Sequence, residues 1–328
     1  MAIGPKMKDG SFVKNTSKKR SRSSAKKSTP ATRVLRYEVT NSSTPGNETS
    51  HYLDIAAGLS IVNRRLYRQG RDYHIKRITV VSSNTPNSEN RVSFATTGTS
   101  WVSQMAWKRG FQTWQKMNAE AQEQTSGDIA GTWSDFKVYL SNEMRASTVE
   151  LPLDNGGNAF LAGADWDYSE LVTPNDTTEG DAFFLHMLGD HNGAAGSRQS
   201  VGLVKSYGES RATVNTGNPN VPNEASDDPL VTVFNYGETI EYVIQDLEGH
   251  NDEPPYDIAS YPGDDLNGPK PQIMQDTTLV DGKTTVGGFV ARCGLIEIET
   301  KSPIQSDVFS VLVEVAPGNY RGVKADVI

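Results

Sequence analysis

The sequence predicts an all-β protein, and three observations carry that prediction. Short runs of β-branched and aromatic residues with period-two alternation recur along most of the chain, separated by Gly, Pro, Asn and Asp. Helical spacing is sustained in one segment, residues 101–124. Positive charge is concentrated ahead of the first strand, in a segment with almost nothing to bury, so the strands belong to a body that starts after it.

The charge split is the sharpest feature of the composition. The 328 residues carry 32 Lys+Arg and 40 Asp+Glu, a formal net charge of −8. Residues 1–36 hold eleven basic side chains and a single acid, Asp9, a net +10; residues 37–328 hold 21 basic and 39 acidic side chains, a net −18. A basic arm joined to an acidic body argues against a uniformly basic chromatin protein and against an ordinary soluble enzyme. Because the arm cannot offset the entropy of ordering, it is expected to be disordered alone, with the folded body at 37–328 and its first apolar alternation at Val34, Leu35 and Tyr37.

Strands are expected at 33–40, 59–67, 73–81, 91–96 and 134–140, then at 183–188, 200–207, 230–236 and 239–247, and finally at 288–300 and 307–316. The step FNYGET (234–239) reads as a hairpin around its glycine. Within 101–124, Trp107, Phe111, Trp114 and Met117 form one apolar stripe, read as packing on a sheet rather than as a cofactor-stacking face; Gly110 interrupts it. Two long loops, 215–229 and 248–272, are rich in Pro, Gly, Asn and Asp and suit binding or contact surfaces.

Other bounds are exclusions. No run of 18 apolar residues is present, so no membrane span is expected, and Met1 to Lys27 has charge without the apolar stretch of a secretory signal. The single cysteine, Cys293, rules out a disulfide framework and a cysteine-based zinc site; in FVARCGLIEIE it reads as a buried structural thiol. No GxSxG, Walker A, HExxH or strand-following GxGxxG is found, so no catalytic residues and no cofactor are assigned and the chain is not expected to be an enzyme. His186 and His191 are five apart in a strand-then-turn, which does not suit a metal pair. The acids Glu248, Asp252, Glu253, Asp257, Asp264 and Asp265 follow no EF-hand spacing and read as a solvated loop, although Ca²⁺ has oxygen-rich sites of this kind.

The arm carries the clearest chemistry. Lys14, Lys18, Lys19, Arg20, Arg22, Lys26, Lys27, Arg33 and Arg36 make a flexible polycation that neutralises phosphates and releases counterions without reading sequence. Phe12 is the one aromatic before Tyr37, so base stacking adds little. KKRSR (18–22) with KK (26–27) also fits a nuclear import signal. A second basic group, Arg64, Arg65, Arg68, Arg71, Lys76 and Arg77, reads equally well as an extension of a phosphate-facing surface or as strand-edge charge that blocks aggregation.

The passages YHIKRITVVSSN (73–84), WVSQMAWKRGFQTWQKMN (101–118), WSDFKVYLSN (133–142) and CGLIEIETKS with FSVLVEV (293–315), set behind a basic Ser/Arg/Lys-rich arm, resemble the capsid proteins of small circular Rep-encoding single-stranded DNA viruses. The resemblance implies a viral jelly roll of two packed antiparallel sheets, with the helix inserted in a connection between strands and extra strands beyond eight. It implies self-assembly into an icosahedral shell that packages single-stranded DNA through the arm. It also implies a location in the virion and, during assembly, the host nucleus, with an import receptor and a cell-surface receptor as host partners. Coat proteins of small RNA viruses share the pattern. Competing classes are a β-sandwich binding module, for which Trp133 and Trp166 would line a sugar cleft, and a hydrolase using an unmarked pair of carboxylates in a deep pocket.

Overall fold

The structure is a computed structural model, and it describes residues 30–82, 90–124, 135–160, 166–174, 180–194, 197–212, 263 and 271–328. The protein is mostly β, built on antiparallel sheets. Along the first part of the chain run β1 (Val34–Thr40), β2 (Glu48–Asp54), α1 (Ile55–Asn63), β3 (Arg71–Ser82) and β4 (Arg91–Thr96). After an excursion described below, the last part supplies β10 (Gln272–Thr278), β11 (Lys283–Gly287), β12 (Val290–Arg292), β13 (Leu295–Lys301) and β14 (Val308–Val315).

These strands form two sheets. One has the order β1-β14-β3-β11, with β12 also pairing on β3; the other has the order β10-β4-β13-β2. Every one of these pairings is antiparallel. Period-two patterning explains the facing of the strands: Leu35, Tyr37 and Val39 of β1 are buried while Val34, Glu38 and Thr40 are exposed, and β14 repeats this with Phe309, Val311, Val313 and Val315. Ile78 and Val80 from the first sheet meet Phe94, Ile296 and Ile298 from the second in one hydrophobic core, an arrangement compatible with a β-sandwich.

Between β4 and β10 the chain leaves these sheets. It forms α2 (Trp101–Gln124), β5 (Tyr139–Ser141), α3 (Asn142–Ala146), β6 (Val149–Glu150), β7 (Glu170–Pro174), β8 (Gly180–Leu188), β9 (Ser200–Gly202) and α4 (Leu203–Ala212). β6 returns to add a parallel strand on β2, while β5, β7 and β9 gather around β8. A second core holds Trp107, Phe136, Leu185, Leu203 and Tyr207 together with Tyr52 of β2 and Leu295 of β13. The neighbours Leu53 and Ile296 point into the first core, so the excursion packs on the outward face of the second sheet. The expected stripe of α2 behaves as read: Trp107 is buried and Phe111, Trp114 and Met117 pack against this second core. Gly110 lets α4 approach, since a Cβ there would stand 2.9 Å from Leu203 Cδ2. The chain ends with β15 (Pro317–Gly318), β16 (Gly322–Val323) and β17 (Ala325–Val327), the last pairing with β3.

Several expectations need correcting. Residues 59–67 do not form a strand; α1 occupies 55–63, started by the Asp54 carboxylate accepting from Ala57 N at 2.9 Å and stopped by Arg64 in the left-handed region at φ 52. Its burial extends over Ile55, Ala56, Ala57, Gly58, Leu59 and Ile61, which erases the amphipathic period. Residues 200–207 divide between β9 and α4, and of 134–140 the strand covers only its end, beginning at Tyr139. The run 288–300 is two strands, broken at Cys293 and Gly294, both at positive φ. Four helices rather than one occur among the described residues. β1 begins at Val34, so Arg36 is a strand residue and not part of a free arm that reaches residue 36. The strands at 230–236 and 239–247, the loop 215–229 and the loop 248–272 apart from Gly263, Pro271 and Gln272 lie outside the described residues.

Candidate nucleic-acid interface

Of the arm residues, Lys14, Lys18, Lys19, Arg20, Arg22, Lys26 and Lys27 lie outside the described residues; Arg33 and Arg36 are described. Arg36 Nη2 meets Glu38 Oε1 at 2.5 Å on the surface of β1, and Arg33 offers its carbonyl to Val315 N at 2.9 Å. Both belong to the body.

The point where the arm joins the body is fixed by side chains of the α1 terminus. Asn63 Oδ1 accepts from Thr32 N at 2.7 Å, and Asn63 Nδ2 donates to Thr32 O at 3.0 Å, a two-point clamp that imitates a strand pairing. Arg65 Nη1 donates to Pro30 O at 3.4 Å. Helix-end chemistry places Arg64 and Arg65 here: the left-handed turn at Arg64 that closes α1 throws both side chains into solvent beside the arm.

Other basic residues converge on the same place from distant parts of the sequence. Arg321 Nη1 donates to Leu66 O, and Tyr67 Oη donates to Arg321 O at 2.9 Å. Arg68 N donates to Tyr320 Oη at 3.0 Å, and the Arg71 guanidinium carbon sits 3.7 Å from the centre of the Tyr320 ring. Arg68 reaches Asp135 Oδ1 at 3.5 Å. Arg64, Arg65, Arg71 and Arg321 have no carboxylate partner among the described residues.

The second basic group is therefore divided. Lys76 Nζ and Arg77 Nε both bind Glu314, at 2.7 and 2.6 Å, which draws the Glu314 carboxyl below its ordinary range. These two stand on β3, an interior strand paired with β14 on one side and with β11 and β12 on the other, so they are not strand-edge charges; an acid of the neighbouring strand holds them. Arg64, Arg65, Arg68 and Arg71 instead share the end at which the arm leaves.

The catalytic alternatives gain little. Asp54 is buried beneath this end and accepts from Ala57 N, Gln69 Nε2, Trp166 Nε1 and Tyr168 Oη at 2.9, 3.0, 3.0 and 3.2 Å. Burial raises its affinity for a proton, and the donors oppose that rise. Asp135 is pushed up to about 6, mainly by burial, with Arg68 and Lys137 pulling the other way. Asp54 is held by its four donors, whereas Asp135 keeps Oδ1 on Arg68 and its buried Oδ2 has no hydrogen-bond partner among the described residues. Trp166 gives its indole N–H to Asp54, carries Lys137 Nζ 4.6 Å above its ring and, with Tyr168, lines a cavity of about 100 Å³; Trp133 lies outside the described residues. A cavity of about 320 Å³ between α2, α4 and β8 is lined by groups such as Leu171, Leu185, Leu203 and Tyr207, with no carboxylate among the described lining residues.

His186 is buried, lowered to about 4 by that burial, and faces Asp190 O at 3.0 Å. His191 accepts from Gly202 N at 3.1 Å through Nδ1 and meets Glu209 at 2.9 Å through Nε2. Among the described residues no group of three or more His, Cys, Asp or Glu is placed to hold a metal. The acidic loop residues lie outside the described residues. Cys293 is buried and free, and burial raises its thiol well above the ordinary value, as fits a packed structural thiol. No described helix is long and apolar enough to cross a membrane.

Sequence reasoning found the polycation but missed Arg321 and Tyr320, which lie some 250 positions from Arg68 and Arg71 and come to them only through the pairing of the C-terminal segment with β3. Compared with protein-family models, with curated proteins and with solved structures, the chain matches none.

Proposed function

We propose that this chain is the capsid protein of a small virus with a single-stranded DNA genome: a non-enzymatic subunit that assembles with copies of itself into a closed shell and holds the genome through its basic arm. The observation that carries the reading is the strand order. With the eight principal strands β1, β2, β3, β4, β10, β11, β13 and β14 numbered one to eight, the first sheet runs 1-8-3-6 and the second 2-7-4-5. That is the order produced when two Greek keys wind into a jelly roll. The segment containing α2 then lies in the connection between the fourth and fifth strands, which agrees with a helix inserted between strands.

Charge supports the same role. Residues 1–36 bring a net +10 to each subunit, so a shell of about 60 copies gathers on the order of 600 positive charges, enough to neutralise much of a short genome. The remaining −18 disfavours binding of nucleic acid over most of the body. Subunit contacts in such a shell are individually weak and are multiplied by repetition.

Electron microscopy of the purified full chain tests this directly. Uniform closed particles are expected, with contents sensitive to deoxyribonuclease once the particles are opened; contents sensitive to ribonuclease instead assign an RNA genome. A protein that stays monomeric across assembly conditions overturns the reading.

A further inference from the structure

The folded body holds cations at one end that it does not neutralise, and that end is where the polycationic arm is anchored. Elsewhere among the described residues some basic side chains meet acids, as Arg36 meets Glu38, Lys76 and Arg77 meet Glu314, Arg91 meets Glu48 and Asp276, Lys205 meets Asp190, Arg292 meets Asp72 and Lys301 meets Glu48, while Lys108, Lys137, Arg145, Arg198 and Lys283 meet none. What sets the arm's exit apart is that its acid-free cations are arginines gathered together: Arg65 and Arg321 both act on Tyr67, and Arg71 and Arg321 both face the Tyr320 ring. Arg64 and Arg65 are exposed, Arg321 is exposed while one of its nitrogens caps Leu66 O, and Arg71 is half-buried against Tyr320. Three acids on or beside β3 and β17 already meet another base: Asp72 meets Arg292, Asp326 meets His74 at 2.7 Å, and Asp135 meets Arg68.

We propose that Arg64, Arg65, Arg71 and Arg321 form a fixed phosphate-binding collar around the arm's exit, which grips the sugar–phosphate backbone of single-stranded nucleic acid delivered by the arm. Four physical points combine. Guanidinium groups match phosphate geometry with paired N–H donors. Three of the four are held by the fold, Arg65 through Pro30 O, Arg321 through Leu66 O and Arg71 through Ala325 O and the Tyr320 ring, so less side-chain entropy is lost on binding. The Asn63 clamp on Thr32 starts the arm within this group, so a strand bound by the arm arrives at the collar at high effective concentration. The aromatic at the centre, Tyr320, has Arg71 on its ring, Arg68 N on its hydroxyl and Tyr67 edge-on at 5.9 Å. It is a platform for a guanidinium rather than for a base, and the grip is therefore indifferent to sequence.

The inference rests on the genome-binding reading above, and its test separates the two. Binding of the full chain to an oligodeoxythymidylate and to a mixed-sequence single strand is measured across a salt series. The chain carrying Arg64→Gln and Arg65→Gln is compared with one carrying Lys76→Gln and Arg77→Gln, whose cations already belong to Glu314. Glutamine keeps the stem and the left-handed backbone cost at position 64, and thermal melting checks that each variant is folded. The collar predicts that losing Arg64 and Arg65 lowers the slope of log affinity against log salt by about 0.7 for each contact, a fall of about 1.4, with no change for the other pair. It also predicts that the oligonucleotide protects Arg64 and Arg65 from an arginine-specific reagent. Equal slopes for the two variants, with no protection, overturn the collar and leave the arm's role standing. Failure of the full chain to bind either strand overturns both.

Discussion

At the end of the two-sheet body where β1 finishes and β14 begins, the acid is buried and every neighbour serves it. Asp307 Oδ1 accepts from Ser82 at 3.0 Å, and Oδ2 accepts from Asn90 at 3.1 Å and Ser302 at 2.7 Å, while Asp307 O takes Asn41 N at 2.8 Å. At the opposite end, where β1 starts and β14 finishes, Arg64, Arg65 and Arg321 stand in solvent without acids. The first arrangement is closed around the carboxylate: Ser82, Asn90 and Ser302 all reach Asp307, with Asn41 Nδ2 the one buried polar side-chain atom there left without a partner among the described residues, and the network holds strand ends together. The second leaves donors and charge for something outside the chain. The two ends teach that charge alone does not mark a surface for use, since what matters is whether the chain itself already supplies the partner.

The comparison predicts opposite mutational outcomes at the two ends. Asp307→Ala leaves the side chains of Ser82, Asn90 and Ser302 without their shared acceptor and should cost about 3 kcal/mol in denaturant unfolding. A loss below about 0.5 kcal/mol would show that the network is not holding the strand ends.

The next effect concerns a buried acid at the arginine end, Asp135, which pairs with Arg68. The folded state raises Asp135 from 3.8 to about 6, so it binds a proton more tightly than the unfolded chain does. An acid shifted upward costs stability above the folded value, and that cost disappears as pH falls toward the unfolded value. Asp135→Asn should therefore be more stable than the parent by about 2 kcal/mol at neutral pH, with the advantage gone below pH 4. Parallel stability curves for the two proteins over that range contradict the assignment.

Smaller effects follow at the clamp and the collar. Asn63→Ala removes both bonds to Thr32 and should lower stability by about 1 kcal/mol while speeding proteolysis near Thr32. Arg64→Gln with Arg65→Gln should change stability by less than about 0.5 kcal/mol, because the groups are exposed and no acid depends on them. A large loss from the arginine pair would make that end as structural as the Asp307 end.

The sequence announced the strands that alternate cleanly. RVLRYEVT, YHIKRITVV and DVFSVLVEV place an apolar residue at most inward positions, and all three appear as strands. ETSHYLD, QIMQDTT and KTTVG are strands as well, yet they pass unnoticed because polar residues hold many of their positions and their place is set by pairing with β13, β4 and β3. IAAGLSIVN looks like a strand because burial on most sides removes the helical period, and the Asp54 cap that starts it lies outside the apolar run. At the candidate interface the arm was legible from charge alone. The collar was not, because charge does not reveal which cations already have acids: Lys76 and Arg77 resemble Arg64 and Arg65 until Glu314 is placed beside the first pair.

In the proposed function, the arm-bearing end of each subunit faces nucleic acid inside a closed shell. Sedimentation velocity of the full chain, followed by ultraviolet absorbance at the protein and nucleic-acid maxima, tests it most directly. A single fast-sedimenting species with a nucleic-acid spectrum is expected, and an equally fast species with a protein spectrum when the lysines and arginines at 14, 18, 19, 20, 22, 26 and 27 are replaced by glutamine. Slow sedimentation of the unmodified chain at the mass of one or two subunits would contradict it, as would a nucleic-acid spectrum that survives removal of the arm's charge.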